Sequence, residues 1–120
     1  MSSQPRRRQL EIQEIGDVTV VAFTDRKILD EQNIQSIGEQ LYSLVDDAGR
    51  RKLVLNFAKV EYLSSAALGK LITLNKKLQA VKGRLALCNI APDIFEVFEI
   101  TGLKKVFNIY KTEQDALQSF

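Results

Sequence analysis

The chain has 120 residues, 45% of them hydrophobic, with 17 Lys and Arg against 15 Asp and Glu. That length supports one domain with its own core, and the near-neutral balance excludes a dedicated nucleic-acid binder. The absence of histidine and the single cysteine, Cys88, exclude Ser-His-Asp and Cys-His catalysis, His-ligated metals, Cys-rich zinc sites and an internal disulfide.

Residues 1–8 (MSSQPRRR) hold three arginines and no acid, and read as a disordered basic tail, with a single domain over 9–120. Without those arginines the remainder carries 14 basic and 15 acidic residues. Leu10, Ile12 and Ile15 alternate loosely as a strand, Gly16-Asp17 supplies a turn, and VTVVAF (18–23) is its hairpin partner. Asp25 to Lys27 is a polar connection. From Asp30 the period changes: Ile34, Ile37, Leu41, Leu44 and Val45 form a helical stripe that Asp30 can cap and Gly49 can end. LVLNF (53–57) reads as a buried central strand.

Ser64-Ser65 opens a second helix, with Leu68, Leu71, Ile72, Leu74, Leu78 and Val81 as its apolar face and Gly83 as its stop. Lys70, Lys76 and Lys77 are expected on a solvated face. RLALCNI (84–90) is the fourth strand, with Cys88 as a buried, inert thiol. Pro92 starts a third helix carrying Ile94, Phe95, Val97, Phe98 and Ile100 and ending near Gly102. VFNIY (106–110) is the last strand, and Thr112 caps a terminal helix to Phe120. Tyr42 and Tyr110 are expected at the core edge with their hydroxyls in water. The order β-β-α-β-α-β-α-β-α predicts an α/β fold: a mixed sheet of about five strands covered by about four helices.

The chemistry gathers at the start of the second helix. A helix N-terminus has unpaired N–H groups and partial positive charge, so it accepts a phosphate on a ligand or on the serine itself. Serine is also among the best N-caps. Both readings of Ser64-Ser65 stand on these residues alone.

LVLNFAKVEYLSSAALGKL (53–71) resembles the central segment of STAS domains, those of sulfate transporters and anti-sigma factor antagonists. There a V-L-(N/D) strand leads to Asp-Ser-(Ser/Thr)-Gly-Leu-Gly at a helix start. Pro92, Phe95, Phe98, Thr101-Gly102-Leu103, Phe107 and Ile109 are similar to the family's second motif. The resemblance covers residues 9–120, without a transmembrane part, and is to the free-standing antagonists.

That resemblance implies a non-enzymatic interaction module for partner switching in transcription control. Its partners would be an anti-sigma factor that is also a serine kinase, and a phosphatase. The phosphoacceptor would fall on Ser65, within a binding surface of Ser64, Ser65, Ala66, Ala67, Leu68 and Gly69. Ser64 replaces the family's Asp, Ala66 its Ser/Thr and Ala67 its Gly, while Leu68 and Gly69 match. FTDRKIL (23–29) lacks the family's Gly-Glu-(Leu/Ile)-Asp motif, and Asp25, Arg26 and Lys27 are the candidate rim of the partner surface. The departures leave open an alternative: a non-phosphorylated scaffold subunit of a signalling or lipid-transport assembly. No cofactor, metal, direct nucleic acid or membrane insertion is expected. The expected setting is the cytoplasm, as a monomer or weak homodimer.

Overall fold

The computed structural model describes residues 9–120; the expected basic tail at 1–8 lies outside the described residues. The strands in chain order are β1 (Leu10–Ile15), β2 (Val18–Phe23), β3 (Lys27–Ile28), β4 (Lys52–Asn56), β5 (Tyr62–Leu63), β6 (Arg84–Cys88) and β7 (Asn108–Tyr110). The helices are α1 (Glu31–Asp46), α2 (Ser65–Ala80), α3 (Pro92–Ile100) and α4 (Glu113–Gln118).

Gly16 and Asp17 form the two-residue turn between Ile15 and Val18, and Gly16 takes φ +63°, which glycine adopts without steric cost. The five-stranded sheet runs β1-β2-β4-β6-β7. Only β1 is antiparallel to its neighbour; the other pairings are parallel, so the sheet is mixed as expected.

Side chains alternate across β4. Leu53 and Leu55 enter the larger core with Val21, Leu85 and Leu87, beneath the buried stripes of α1 and α2 and Phe98 of α3. Val54 points the other way and joins Val18, Val20, Ala86 and Cys88 against Ala116 of α4. A strand covered on both faces reads as a continuous apolar run.

Asp30 caps α1, its carboxylate accepting the Asn33 N–H at 3.1 Å. Between α2 and β6 the chain passes close to Arg51: a Cβ on Gly83 would stand 2.4 Å from the Arg51 carbonyl oxygen. That position tolerates no side chain.

Several expectations need correction. The second helix ends at Ala80, and Val81 caps it with 37% exposure, outside the buried stripe. Lys70 and Lys77 are not merely solvated. Lys70 donates to Gln35 Oε1 at 3.2 Å, and Lys77 reaches Asp46 at 2.8 Å while lying over the Tyr42 ring. Tyr110 does not leave its hydroxyl to water alone, because Arg84 donates to it at 2.6 Å. The last strand begins at Asn108, since Leu103–Lys105 forms a 3₁₀ turn and Val106 follows in it, 47% exposed.

Candidate functional site

The start of α2 is fixed by a small ladder that propensity did not reveal. β3 and β5 pair in parallel, Lys27 opposite Tyr62 and Ile28 opposite Leu63. The Arg26 carbonyl accepts the N–H groups of Glu61 (2.6 Å) and Tyr62 (3.0 Å), and the Ile28 carbonyl accepts the Ser64 N–H (3.1 Å). Two segments separated by more than thirty residues are thereby joined. The ladder brings the Arg26-Lys27 pair next to the chain that leads into Ser64.

The two serines divide the work. Ser64 is the N-cap, in extended conformation, and its Oγ accepts the Ala67 N–H at 3.2 Å. Its carbonyl accepts the Leu68 N–H at 3.1 Å. Ser65 is the first helical residue, and its exposed hydroxyl has no hydrogen-bond partner among the described residues. No acidic side chain lies in the first turn of α2. The Ser65 oxygen therefore sits at the positive end of the helix, open to solvent and not engaged in capping.

The remaining expected contact residues separate by burial. Ala66 and Gly69 are exposed beside Ser65. Ala67 and Leu68 are 5% and 7% exposed and belong to the core, so they shape the helix and do not present themselves to a partner. Arg26 and Lys27 are exposed, with Arg26 4.0 Å from Glu61. Asp25 is the exception on that segment: it is 9% exposed and engaged within the fold, not on an outer rim.

Three features here lie outside the site residues named from the sequence. Leu29 and Tyr62 are 50% and 60% exposed, apolar groups flanking the serines. A cleft of about 270 Å³ separates this corner from α3, lined by Tyr62, Leu63, Leu68, Ile94 and Val97 with Glu61 and Asp93 at its lip. Its signal was the surplus of apolar residues on the short third helix, of which Ile94 and Phe98 are buried while Val97 and Ile100 are not. The third feature is the polar clasp at Asn56. Its Oδ1 accepts the N–H of Ala58 (2.8 Å) and a side-chain N–H of Asn89 (3.3 Å), and its Nδ2 donates to Glu113 (2.9 Å). The clasp holds the β4–β5 link, which delivers Ser64, to the ends of β6 and α4.

Cys88 lies beneath the same edge, fully buried. Burial, and secondarily the charge of Glu113, push its thiol up to about 12. It stays a thiol at neutral pH and is not a nucleophile.

A family model for the STAS domain matches residues 9–116. The chain belongs to the STAS domain family. As a STAS domain it is 32% identical over 93 residues to the candidate anti-sigma factor antagonist BtrV of Bordetella bronchiseptica, covering 78% of this chain and 79% of that relative. The structure of an anti-sigma-factor antagonist (STAS) domain protein from Planctomyces limnophilus superposes with a TM-score of 0.80. That structure is 26% identical, over 92% of this chain and 95% of the other. The fold is also that of Bacillus SpoIIAA in its phosphorylated form, with TM-score 0.71, 21% identity, and 92% and 97% coverage. The five-stranded sheet and four helices are those of the STAS fold. Serine, like aspartate, accepts an N–H at an N-cap, so Ser64 caps α2 without placing a negative charge there.

Proposed function

We propose that this anti-sigma factor antagonist-like STAS protein binds an anti-sigma factor that is also a serine kinase, and is switched by phosphorylation at Ser65. A phosphatase would reverse the switch, and the protein acts in the cytoplasm without being an enzyme. The observation that carries this reading is the exposed Ser65 hydroxyl at the first position of α2, with capping assigned to Ser64. The phosphorylated form of SpoIIAA, which shares the fold, supports it.

The partner would sit on Ser65, Ala66 and Gly69, bounded by Arg26, Lys27, Leu29 and Tyr62. In the unmodified state this surface is neutral at its centre. A phosphate adds about −1.5 to −2 charge and a tightly held hydration shell. An affinity loss of about 1.4 kcal/mol is a tenfold change, which is enough to switch partners. The family's Asp would add a like charge beside that phosphate; Ser64 does not.

Affinity capture from native extract tests this. Immobilised wild-type protein is expected to enrich an anti-sigma factor kinase, and Ser65→Asp to retain about tenfold less. Equal capture by both would overturn the switch. It would favour the second reading, a constitutive scaffold subunit, which the replacements at Ser64, Ala66 and Ala67 favour.

A further inference from the structure

The cleft between β5 and α3 holds about 270 Å³, the space of about nine waters. Its floor is buried: Leu68 is 7% exposed and Ile94 4%. Its walls are not: Tyr62 is 60% exposed and Val97 38%. A ring and a branched side chain left in water across a gap gain by being covered. Ligand sites are built this way, with an apolar lining and a few polar groups that fix orientation.

The charged side chains lining the inner cleft are Glu61 and Asp93, and both are acids. Glu61 lies 4.0 Å from Arg26, so part of its charge is already answered. Asp93, at the second position of α3, makes neither ion pair nor side-chain hydrogen bond among the described residues. Lys27 is exposed and lines the outer mouth, beside Ala91 and Pro92, but not the inner cleft. It opposes a cation at the mouth through water, which screens it. A carboxylate without a partner beside an apolar hollow calls for a cationic head on an apolar body.

We propose that this cleft binds a small organic cation, an amine or guanidine on an aryl or alkyl body of about nine non-hydrogen atoms. The body lies on the buried floor against Tyr62, and the head bonds the Asp93 carboxylate, with Glu61 adding to the field. A neutral ligand of the same shape leaves Asp93 without a charged partner, and an anion meets two like charges. Tyr62 and Leu68 each stand three residues from Ser65, so the occupant lies beside the start of α2. The inference does not depend on Ser65 being phosphorylated.

Amide spectra of the full chain titrated with phenethylamine, phenethyl alcohol and phenylacetate test it, because the three probes share a ring and differ in charge. The amine is expected to shift the amides of Tyr62, Leu63, Leu68, Ile94 and Val97 and to saturate with a Kd of about 1 mM, in keeping with so few atoms. The alcohol should bind about tenfold more weakly, and phenylacetate should not saturate. Asp93→Asn should weaken the amine about tenfold and leave the alcohol unchanged. Val97→Lys, at a half-exposed position, should abolish binding of the amine while the remaining amides keep their places. Equal affinity for amine and alcohol, or for wild type and Asp93→Asn, would overturn the proposal. Shifts that rise without saturation at Glu11 and Asp46 as much as at Asp93 would make the amine a general counterion and overturn it as well. Cleft amides that move with protein concentration in the absence of any probe would make a second copy the occupant and overturn it equally.

Discussion

Ser64 accepts an N–H that would otherwise be unsatisfied at the start of α2, whereas Ser65 accepts none. Ser64→Ala is therefore expected to cost about 1 kcal/mol, and Ser65→Ala less than about 0.5 kcal/mol, in chemical denaturation. Equal losses would mean that the two serines share the cap. Charge at the second position follows the helix dipole. Ser65→Glu should stabilise the fold by roughly 0.3–1 kcal/mol at low salt. In a Ser64→Asp background the same substitution should gain less, because two acids then share one helix end; a double-mutant cycle measures the difference. Cys88 gives a pH signature. Its folded thiol holds its proton up to about 12, above the value of about 8.5 expected when unfolded. Protons are then bound more tightly in the folded state, so this contribution is complete below about pH 8.5 and is lost as pH rises toward 12. Cys88→Ala should flatten that alkaline decline, and native protein should resist thiol alkylation near neutrality until it unfolds.

Among the elements, those with strong periodicity were legible. The stripe of α1 and the LVLN strand placed their residues in the core as the pattern required, because burial of one face leaves a repeating mark in the sequence. β3 and β5 were not legible. Each has two residues, and their pairing depends on main-chain groups of Arg26 and Ile28, which no side-chain pattern encodes. For the same reason the sequence named Arg26 and Lys27 and the Ser64-Ser65 pair separately but did not show that they adjoin. Asp25 looked like part of an exposed connection because its burial is set by the tertiary fold and not by its neighbours in sequence. Two substitutions test the packing of α2. Leu74→Ala, at a side chain with no exposure, should cost about 2–5 kcal/mol. Gly83→Ala should also destabilise, since its methyl would meet the Arg51 carbonyl; a neutral effect on Tm would mean that the α2–β6 turn shifts freely.

At the scale of the whole molecule, the C-terminal edge of the parallel strands gathers the features that matter. The Asn56 clasp, the β3–β5 ladder, the start of α2 and the cleft against α3 lie together there. Sheets of this kind place ligands and partners at that edge, where helix starts and loops converge. The opposite flank ends in β1, an edge strand with Ile12 and Ile15 exposed beside Glu11 and Glu14. Charged side chains on an open edge discourage pairing with a second copy, so sedimentation is expected to give the mass of one chain. The fold was readable because two motifs and the element order agree. The division of labour between Ser64 and Ser65 was not, since either serine satisfies the capping pattern and only the backbone register decides.

Ser65 decides between a switch and a constitutive subunit, and the most direct measurement is intact mass with site mapping on protein taken from its native cells in two growth conditions. One added phosphoryl group on Ser65, varying between the conditions, is the predicted result. A single unmodified mass in both, or a phosphoryl group on another residue, would contradict it.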